Sequence, residues 1–342
     1  VIRATFELEP HGSAEALAIE ESLGLPDGPA FVRGRVVSEA DGVAVLEFPE
    51  ANWGRNLPML LSALVAGEGV ETRAFTRCRL VGLDLPVGWL PGPAFAGAGA
   101  VGLVEGVAVG AIVKPSLGLS AGEFASVAGA LARGGAVLVK DDELLGDPAW
   151  CPLFDRVRAV ASALHPSVIY TPNVTGPAGG LVERARRAVE LGATGVMVNA
   201  FTQGLDGVLA LREAALGVPL FAHRVGSGPW VRNDRFGVSG AVLAGLTRQC
   251  GADFVQVGAY GGKLFDSDAE VEAQLAAAAP ATAVMGGGVG PGNVRALADR
   301  ASALMAATDG GPAGLLMLLG SAAYAWPGGV EAGVRATVEA LR

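Results

Sequence analysis

Eight short apolar runs recur from about residue 98 to the end of the chain: Ala108–Val113, Ala136–Val139, Val168–Tyr170, Gly195–Val198, Pro219–Ala222, Phe254–Val257, Ala281–Met285 and Leu315–Leu319. Each has strand length and no polar face, the pattern of a strand buried on both sides. Between them lie Ala- and Leu-rich amphipathic stretches of helical length, such as Phe124–Arg133 and Leu181–Leu191. Strands alternating with helices pair in parallel through crossovers, and eight units is the number that closes a (β/α)8 TIM barrel. An open doubly wound sheet is the alternative, and the count favours the closed barrel.

The first 97 residues have another texture. Val1–Glu7 alternates as a strand and Ala14–Leu23 reads as a helix. Ala30–Val37 and Val43–Phe48 read as strands around the Asp41-Gly42 turn, Leu57–Leu64 as a helix and Arg77–Leu85 as a strand. That order is the split pattern of a ferredoxin-like α+β domain. Pro86–Pro93 then breaks the pattern with three prolines and two glycines. The expected organisation is an N-terminal ferredoxin-like α+β domain over residues 1–97 and a C-terminal α/β TIM barrel over residues 98–342.

Composition limits the partners. The net charge of -9 argues against nucleic acid, whose phosphates need clustered Lys and Arg. With 51% hydrophobic residues the chain can bury a large core, yet no convincing membrane span emerges. The nearest stretch, Ala94–Val113, is interrupted by glycines and Glu105. The start, Val1–Phe6, lacks a signal-peptide pattern. Cys78, Cys151 and Cys250 are odd in number and far apart, which fits reduced thiols in the cytoplasm, not a disulfide frame or a zinc site.

Chemistry in a TIM barrel sits at the C-terminal strand ends. After the eight runs stand Lys114-Pro115, Lys140-Asp141-Asp142-Glu143, Thr171-Pro172-Asn173, Asn199, His223-Arg224, the Gly258–Lys263 turn, Gly286-Gly287-Gly288 and Gly320-Ser321. The Lys140 cluster admits three readings: a solvated strand end, a site for a hard metal ion, or a lysine acting as nucleophile or base. The glycine turns after the last two runs suit a phosphate, held by backbone N–H groups and a helix N-terminus. His223 follows an apolar run directly and is assigned to the site, whereas His11 and His165 read as bland surface residues. Asn173, Gly286, Gly287, Gly288, Gly320 and Ser321 are the candidate substrate- and phosphate-binding positions.

On these motifs the chain resembles the ribulose-bisphosphate carboxylase (RuBisCO) large subunit, and more closely the form IV RuBisCO-like proteins, over nearly its whole length. Lys114-Pro115-Ser116-Leu117-Gly118-Leu119-Ser120 resembles the family's Lys-Pro-x-x-Gly-Leu-Ser signature. Lys140-Asp141-Asp142-Glu143 resembles its Lys-x-Asp-Glu metal signature. His223-Arg224 and Gly262-Lys263 resemble its His-Arg pair and its mobile-loop lysine. The resemblance implies that CO2 carbamylates Lys140, that the carbamate, Asp142 and Glu143 bind Mg2+, and that Lys114, Lys140, His223 and Lys263 are catalytic. It further implies that Arg224 contacts a phosphate or carboxylate. Two chains are expected to pair as a homodimer with the active site at the interface and Glu68 near the partner's Lys140. The physics agrees, since a carbamate turns a cation into an anionic oxygen ligand suited to a hard ion.

The departures are informative. Ser116 replaces a second lysine, Ala66–Val70 lacks an asparagine, Gln256 replaces a histidine, Gly286 replaces a serine, and Trp326-Pro327 replaces His-Pro. The resemblance then implies Mg2+-dependent enolisation of a phosphorylated ketose or diketone, through a metal-bound enediolate and without CO2 fixation. An enolase or isomerase of methylthio-sugar phosphate type fits first. A decarboxylase or transcarboxylase of a branched oxo sugar acid phosphate is the alternative within the group. Two readings of other classes stay open. A Schiff-base aldolase on Lys140 or Lys114 predicts metal independence. A non-catalytic binding protein predicts that Lys114→Ala is silent.

Overall fold

The computed structural model describes residues 1–95, 106–307 and 314–342. Its strands, in chain order, are β1 (Ile2–Glu9), β2 (Arg35–Ala40), β3 (Val43–Phe48), β4 (Arg77–Asp84), β5 (Val107–Ile112), β6 (Leu138–Lys140), β7 (Ile169–Thr171), β8 (Val196–Asn199), β9 (Leu220–His223), β10 (Phe236–Val238), β11 (Phe254–Val257), β12 (Thr282–Gly286) and β13 (Gly314–Leu319). They form two sheets in two compact units. One unit is Val1–Leu90 with Ser227–Leu243, and the other is Pro91–Gly226 with Ala244–Arg342.

The first unit carries a five-stranded sheet in the order β10-β4-β1-β3-β2. The order 4-1-3-2, with helices Ala14–Glu20 and Leu57–Leu64 in the two crossovers, is that of a ferredoxin-like fold. β1 buries alternate residues, Ile2, Ala4, Phe6 and Leu8, as a strand with one face on a core must. Two features differ from the sequence reading. The strand expected over Ala30–Val37 begins at Arg35, because Pro29 opens a turn closed by Val32 N–H to Pro29 O at 3.2 Å and Arg33 N–H to Ala30 O at 3.4 Å. In addition, β10 returns from far along the chain to pair in parallel with β4, Phe236 opposite Cys78. Its three residues carry no periodicity long enough to read. The expected boundary after residue 97 lies outside the described residues, and the compact first unit takes in residues 227–243 as well.

The second unit is a TIM barrel. Its eight strands run in the order β7-β6-β5-β13-β12-β11-β9-β8, and every pair is parallel. The two ends meet at a single parallel bridge between Asn173 and Met197, where Val174 N–H and Met197 N–H each make a 2.9 Å bond across the seam. Each apolar run overlaps one of these strands. Inside, Leu138, Ile169, Met197, Phe221, Phe254, Val284, Leu316 and Leu318 fill the barrel. Each such side chain contributes about 1.5–3 kcal/mol by leaving water. The strands extend past the apolar runs into polar residues. Lys140, Thr171, Asn199 and His223 are the last paired residues of β6, β7, β8 and β9. Their side chains therefore start from rigid backbone.

Candidate active site

Lys140 ends β6 with its side chain wholly buried. Its Nζ donates to Asp141 O at 2.7 Å, lies 3.6 Å from Glu143 Oε2, and sits 5.9 Å from the Phe221 ring centroid. Burial holds the Lys140 amine below its usual value, against the pull of Glu143, Asp142 and Asp141. Asp141 is turned elsewhere. Arg156 Nε and Nη2 reach one of its oxygens at 3.0 and 2.9 Å, Asn173 N–H donates to the same oxygen at 2.9 Å, and Tyr170 OH donates to the other at 2.8 Å. All of these groups are buried. Asp141 is thus a structural anchor beneath the cluster, and Asp142 and Glu143 are the acids beside Lys140.

Lys114, just past β5, pairs with Asp142 and bonds Ser116 Oγ at 2.9 Å. Burial would raise the Asp142 carboxyl, but hydrogen bonds from Lys114 and from Leu144 N–H overcome it and hold the group below its usual range. His223 Nε2 stands 3.3 Å from Glu143 Oε2. Its Nδ1 accepts from Val225 N–H at 3.0 Å, so the ring proton belongs on Nε2, facing the carboxylate. Burial, then the charges of Lys140, Arg224 and Lys114, push the imidazole well below its usual value, so it is neutral. The backbone of Glu143 is fixed by two amides, Asn173 Nδ2 at 3.2 Å and Asn199 Nδ2 at 2.9 Å, both donating to its carbonyl.

These residues fit a hard cation conditionally. Among the described residues no group of three His, Cys, Asp or Glu side chains is arranged to hold a metal ion. With Lys140 as a free amine the cluster offers two carboxylates around a potential cation. Glu143 Oε2 is buried and without a hydrogen-bond partner, a costly state that an ion or a carbamate-bearing Lys140 would relieve. A carbamate on Lys140 supplies the missing third oxygen donor, so the fit depends on that modification.

The remaining sequence candidates lie on loops that follow the strands. Gly287 and Gly288, with φ of 90° and 128°, turn the chain after Gly286 ends β12. Their N–H groups make no hydrogen bond among the described residues, while Gly287 O accepts from Lys263 N–H at 2.8 Å and Gly288 O from Asn293 Nδ2 at 2.8 Å. Adjacent N–H groups without a partner are available to an anion. A side chain at Gly262 would lie 2.5 Å from Gly287 O, and one at Gly288 would lie 3.2 Å from Gly262 Cα. The two loops can meet only through these glycines. The Lys263 side chain is exposed and in no ion pair among the described residues. Gly320-Ser321 opens the short helix Ser321–Tyr324 after β13.

Arg224 is placed differently from the sequence expectation. Its Nη1 and Nη2 form a bidentate pair with Asp266 at 2.8 and 3.0 Å, and Nη1 also reaches Gln274 Oε1 at 3.1 Å. An anion at Arg224 would have to displace a buried carboxylate. Tyr324, Arg156, Tyr170 and Asp266 were not singled out from the sequence. Their partners Asp141, Arg224 and Ile112 are 15 to 212 residues away, and no motif links them. Ser120, read as part of a signature, caps the helix Ala121–Arg133 in a box with Glu123, as Ser267 and Glu270 do for Asp268–Ala278.

Residues 99–325 match the ribulose bisphosphate carboxylase large chain, catalytic domain. The chain belongs to the ribulose-bisphosphate carboxylase large-chain family. Within it the similarity runs to RuBisCO-like proteins. A ribulose bisphosphate carboxylase-like protein of Allochromatium vinosum is 34% identical over 276 residues, 74% of this chain and 59% of the relative. A 3-oxo-isoapionate-4-phosphate transcarboxylase/hydrolase of Xanthobacter autotrophicus is 32% identical over 284 residues, 78% of this chain and 67% of the relative. A 2,3-diketo-5-methylthiopentyl-1-phosphate enolase of Geobacillus thermodenitrificans is 34% identical over 228 residues, 62% of this chain and 54% of the relative. The chain therefore spans 59% of the length of the Allochromatium relative. The crystal structure of a RuBisCO-like protein from Burkholderia fungorum superposes with a TM-score of 0.86 at 26% identity, covering 99% of this chain and 93% of that one.

Proposed function

We propose that the protein enolises a phosphorylated ketose or diketone, of the methylthio-sugar phosphate type, and does not fix CO2. The observation that carries the reading is the buried Lys140 beside Asp142 and Glu143, with Lys140 paired to Glu143 and a second lysine, Lys114, paired to Asp142. Mg2+ held by carbamylated Lys140, Asp142 and Glu143 would supply electrophilic stabilisation of the charge that develops when a proton leaves the carbon beside a carbonyl. The lowered proton affinity of Lys140 favours the neutral amine, whose lone pair attacks the carbon of CO2 to give the carbamate with loss of one N–H proton.

The residues of the chain supply the rest. With Asp142 holding a cation, Lys114 Nζ would be free of that ion pair and, with Ser116 as its partner, would be the group to take or return the proton. His223, neutral with its N–H on Nε2, would offer the substrate a hydrogen-bond donor without adding charge. The free N–H groups of Gly287 and Gly288 receive the phosphate, with Lys263 and the Gly320-Ser321 turn at the same end of the barrel. The Arg224–Asp266 pair favours a ketone over a sugar acid, because the arginine that would meet a carboxylate is already neutralised. A homodimer with the active site at its interface is proposed on the family resemblance; light scattering giving the mass of one chain would remove it.

The test is proton exchange in D2O followed by NMR, with 2,3-diketo-5-methylthiopentyl-1-phosphate and a panel of phosphorylated ketoses and oxo acids. Exchange that needs both Mg2+ and bicarbonate and vanishes in Lys140→Ala is the expected result. Turnover indifferent to a chelator refutes the metal reading and promotes the Schiff-base aldolase.

A further inference from the structure

The last paired residue of β5 on its β13 side is Ala111, opposite Leu319. There β13 stops, and Gly320 turns the chain into the helix Ser321–Tyr324. The next backbone groups of β5 on that side, Ile112 C=O and Lys114 N–H, have no strand to meet. Val113 N–H points the other way and bonds Lys140 O at 3.1 Å on β6. A residue on a parallel neighbour would donate its N–H to the first group and accept from the second.

Tyr324 does both with one atom. Its hydroxyl donates to Ile112 O at 2.9 Å and accepts from Lys114 N–H at 2.7 Å. The phenol thus replaces a missing strand residue at the point where Lys114 leaves the sheet. Only the protonated phenol can do this, and burial pushes Tyr324 up, away from ionisation.

We propose that Tyr324 is a positioning residue: its hydroxyl completes the ladder of β5 and so fixes the backbone from which Lys114 reaches Ser116 and Asp142. Tyr324 has no role in holding the cation or the phosphate. Its loss therefore misplaces Lys114 while substrate still binds. Misplacing a reacting group by about 1 Å costs on the order of 100-fold in rate. The consequence for turnover rests on the enolisation reading above; the clasp itself does not.

The experiment compares the full chain with Tyr324→Phe, which keeps the ring and deletes only the hydroxyl. Amide hydrogen exchange at Lys114 is read first in the parent, where a fast-exchanging Lys114 amide overturns the proposal before any variant is made. In Tyr324→Phe the Lys114 amide is expected to exchange at least about 10-fold faster. For 2,3-diketo-5-methylthiopentyl-1-phosphate with Mg2+ and bicarbonate, kcat is expected to fall about 100-fold, with KM within about 3-fold of the parent. An unchanged kcat, or a raised KM with kcat kept, overturns it. If the parent itself turns over none of this substrate, the enolisation reading has failed instead. The Lys114 amide then decides alone: protection lost at unchanged global stability upholds the clasp, and protection kept refutes it.

Discussion

Removing Arg156 should cost the barrel more than any other single truncation of a polar side chain near the site. Arg156 is fully buried, and its guanidinium makes two contacts to Asp141, one to Cys151 O at 2.8 Å and one to Gly146 O at 2.8 Å. Burial works against its charge, and the Asp141 carboxylate more than restores it, so the guanidinium stays charged. Arg156→Met fills much of the same space but leaves Asp141 as a buried carboxylate with only Tyr170 OH and Asn173 N–H. Breaking one side of such a pair costs about 3–5 kcal/mol. Urea unfolding of the parent, Arg156→Met, Asp141→Asn and the double variant measures it. The double variant removes the stranded charge as well, so its loss should be smaller than the sum of the singles by about 2–3 kcal/mol. A loss below about 1 kcal/mol in Arg156→Met, or strict additivity in the cycle, would refute the assignment of Asp141 as an anchor.

Other outcomes follow from the same geometry. Burial first, aided by the Glu68 and Glu20 carboxylates, raises Glu21 to about 7 from 4.5, although Gly69 N–H favours its charged form. Its folded state therefore keeps a proton that the unfolded state loses, so its stabilisation is complete below about pH 4.5 and is lost as pH rises through about 7. Glu21→Gln should remove that slope, gaining about 2–3 kcal/mol relative to the parent between pH 4.5 and 8; a difference that stays flat with pH would contradict it. Gly262→Ala places a methyl 2.5 Å from Gly287 O, so the Lys263 amide should lose its protection in hydrogen exchange while the barrel strands keep theirs. Asn199→Ala removes one of the two amides on Glu143 O and should weaken Mg2+ binding in bicarbonate about 10-fold by calorimetry; unchanged affinity would show that Asn173 alone holds that backbone.

The barrel was legible because its strands are buried on both faces, so each left a mainly apolar run, interrupted only by Gln256 in the sixth and Thr282 in the seventh. The lysines and acids were legible because two of the motifs are local: Lys114–Ser120 and Lys140–Glu143 each lie within a few residues. What sequence could not give were pairings that depend on closure. Arg224 stands beside His223 in the chain and suggests an anion site, but its partner Asp266 arrives from the loop after β11. Asp141 sits among acids, but its partners Arg156 and Tyr170 come from the following helix and strand. Tyr324 reads as one aromatic in a small-residue stretch until the barrel brings β13 beside β5. The strand Phe236–Val238 was missed for the same reason: its identity lies in its neighbour β4, not in its own three residues.

That short strand has a bearing on how the molecule is made. β4 bonds β10 through Cys78 N–H to Arg235 O at 2.8 Å and Ser239 N–H to Leu80 O at 2.9 Å. A ribosome delivers residues 77–84 long before 235–239, and domains emerge N-terminus first. Until the chain beyond β9 has been synthesised, the sheet of β1–β4 waits with an open edge, the kind of edge that invites pairing with another nascent chain. Residues 1–90 expressed alone would carry the same open edge permanently, and are expected to associate through the β4 edge that β10 covers in the chain of residues 1–342.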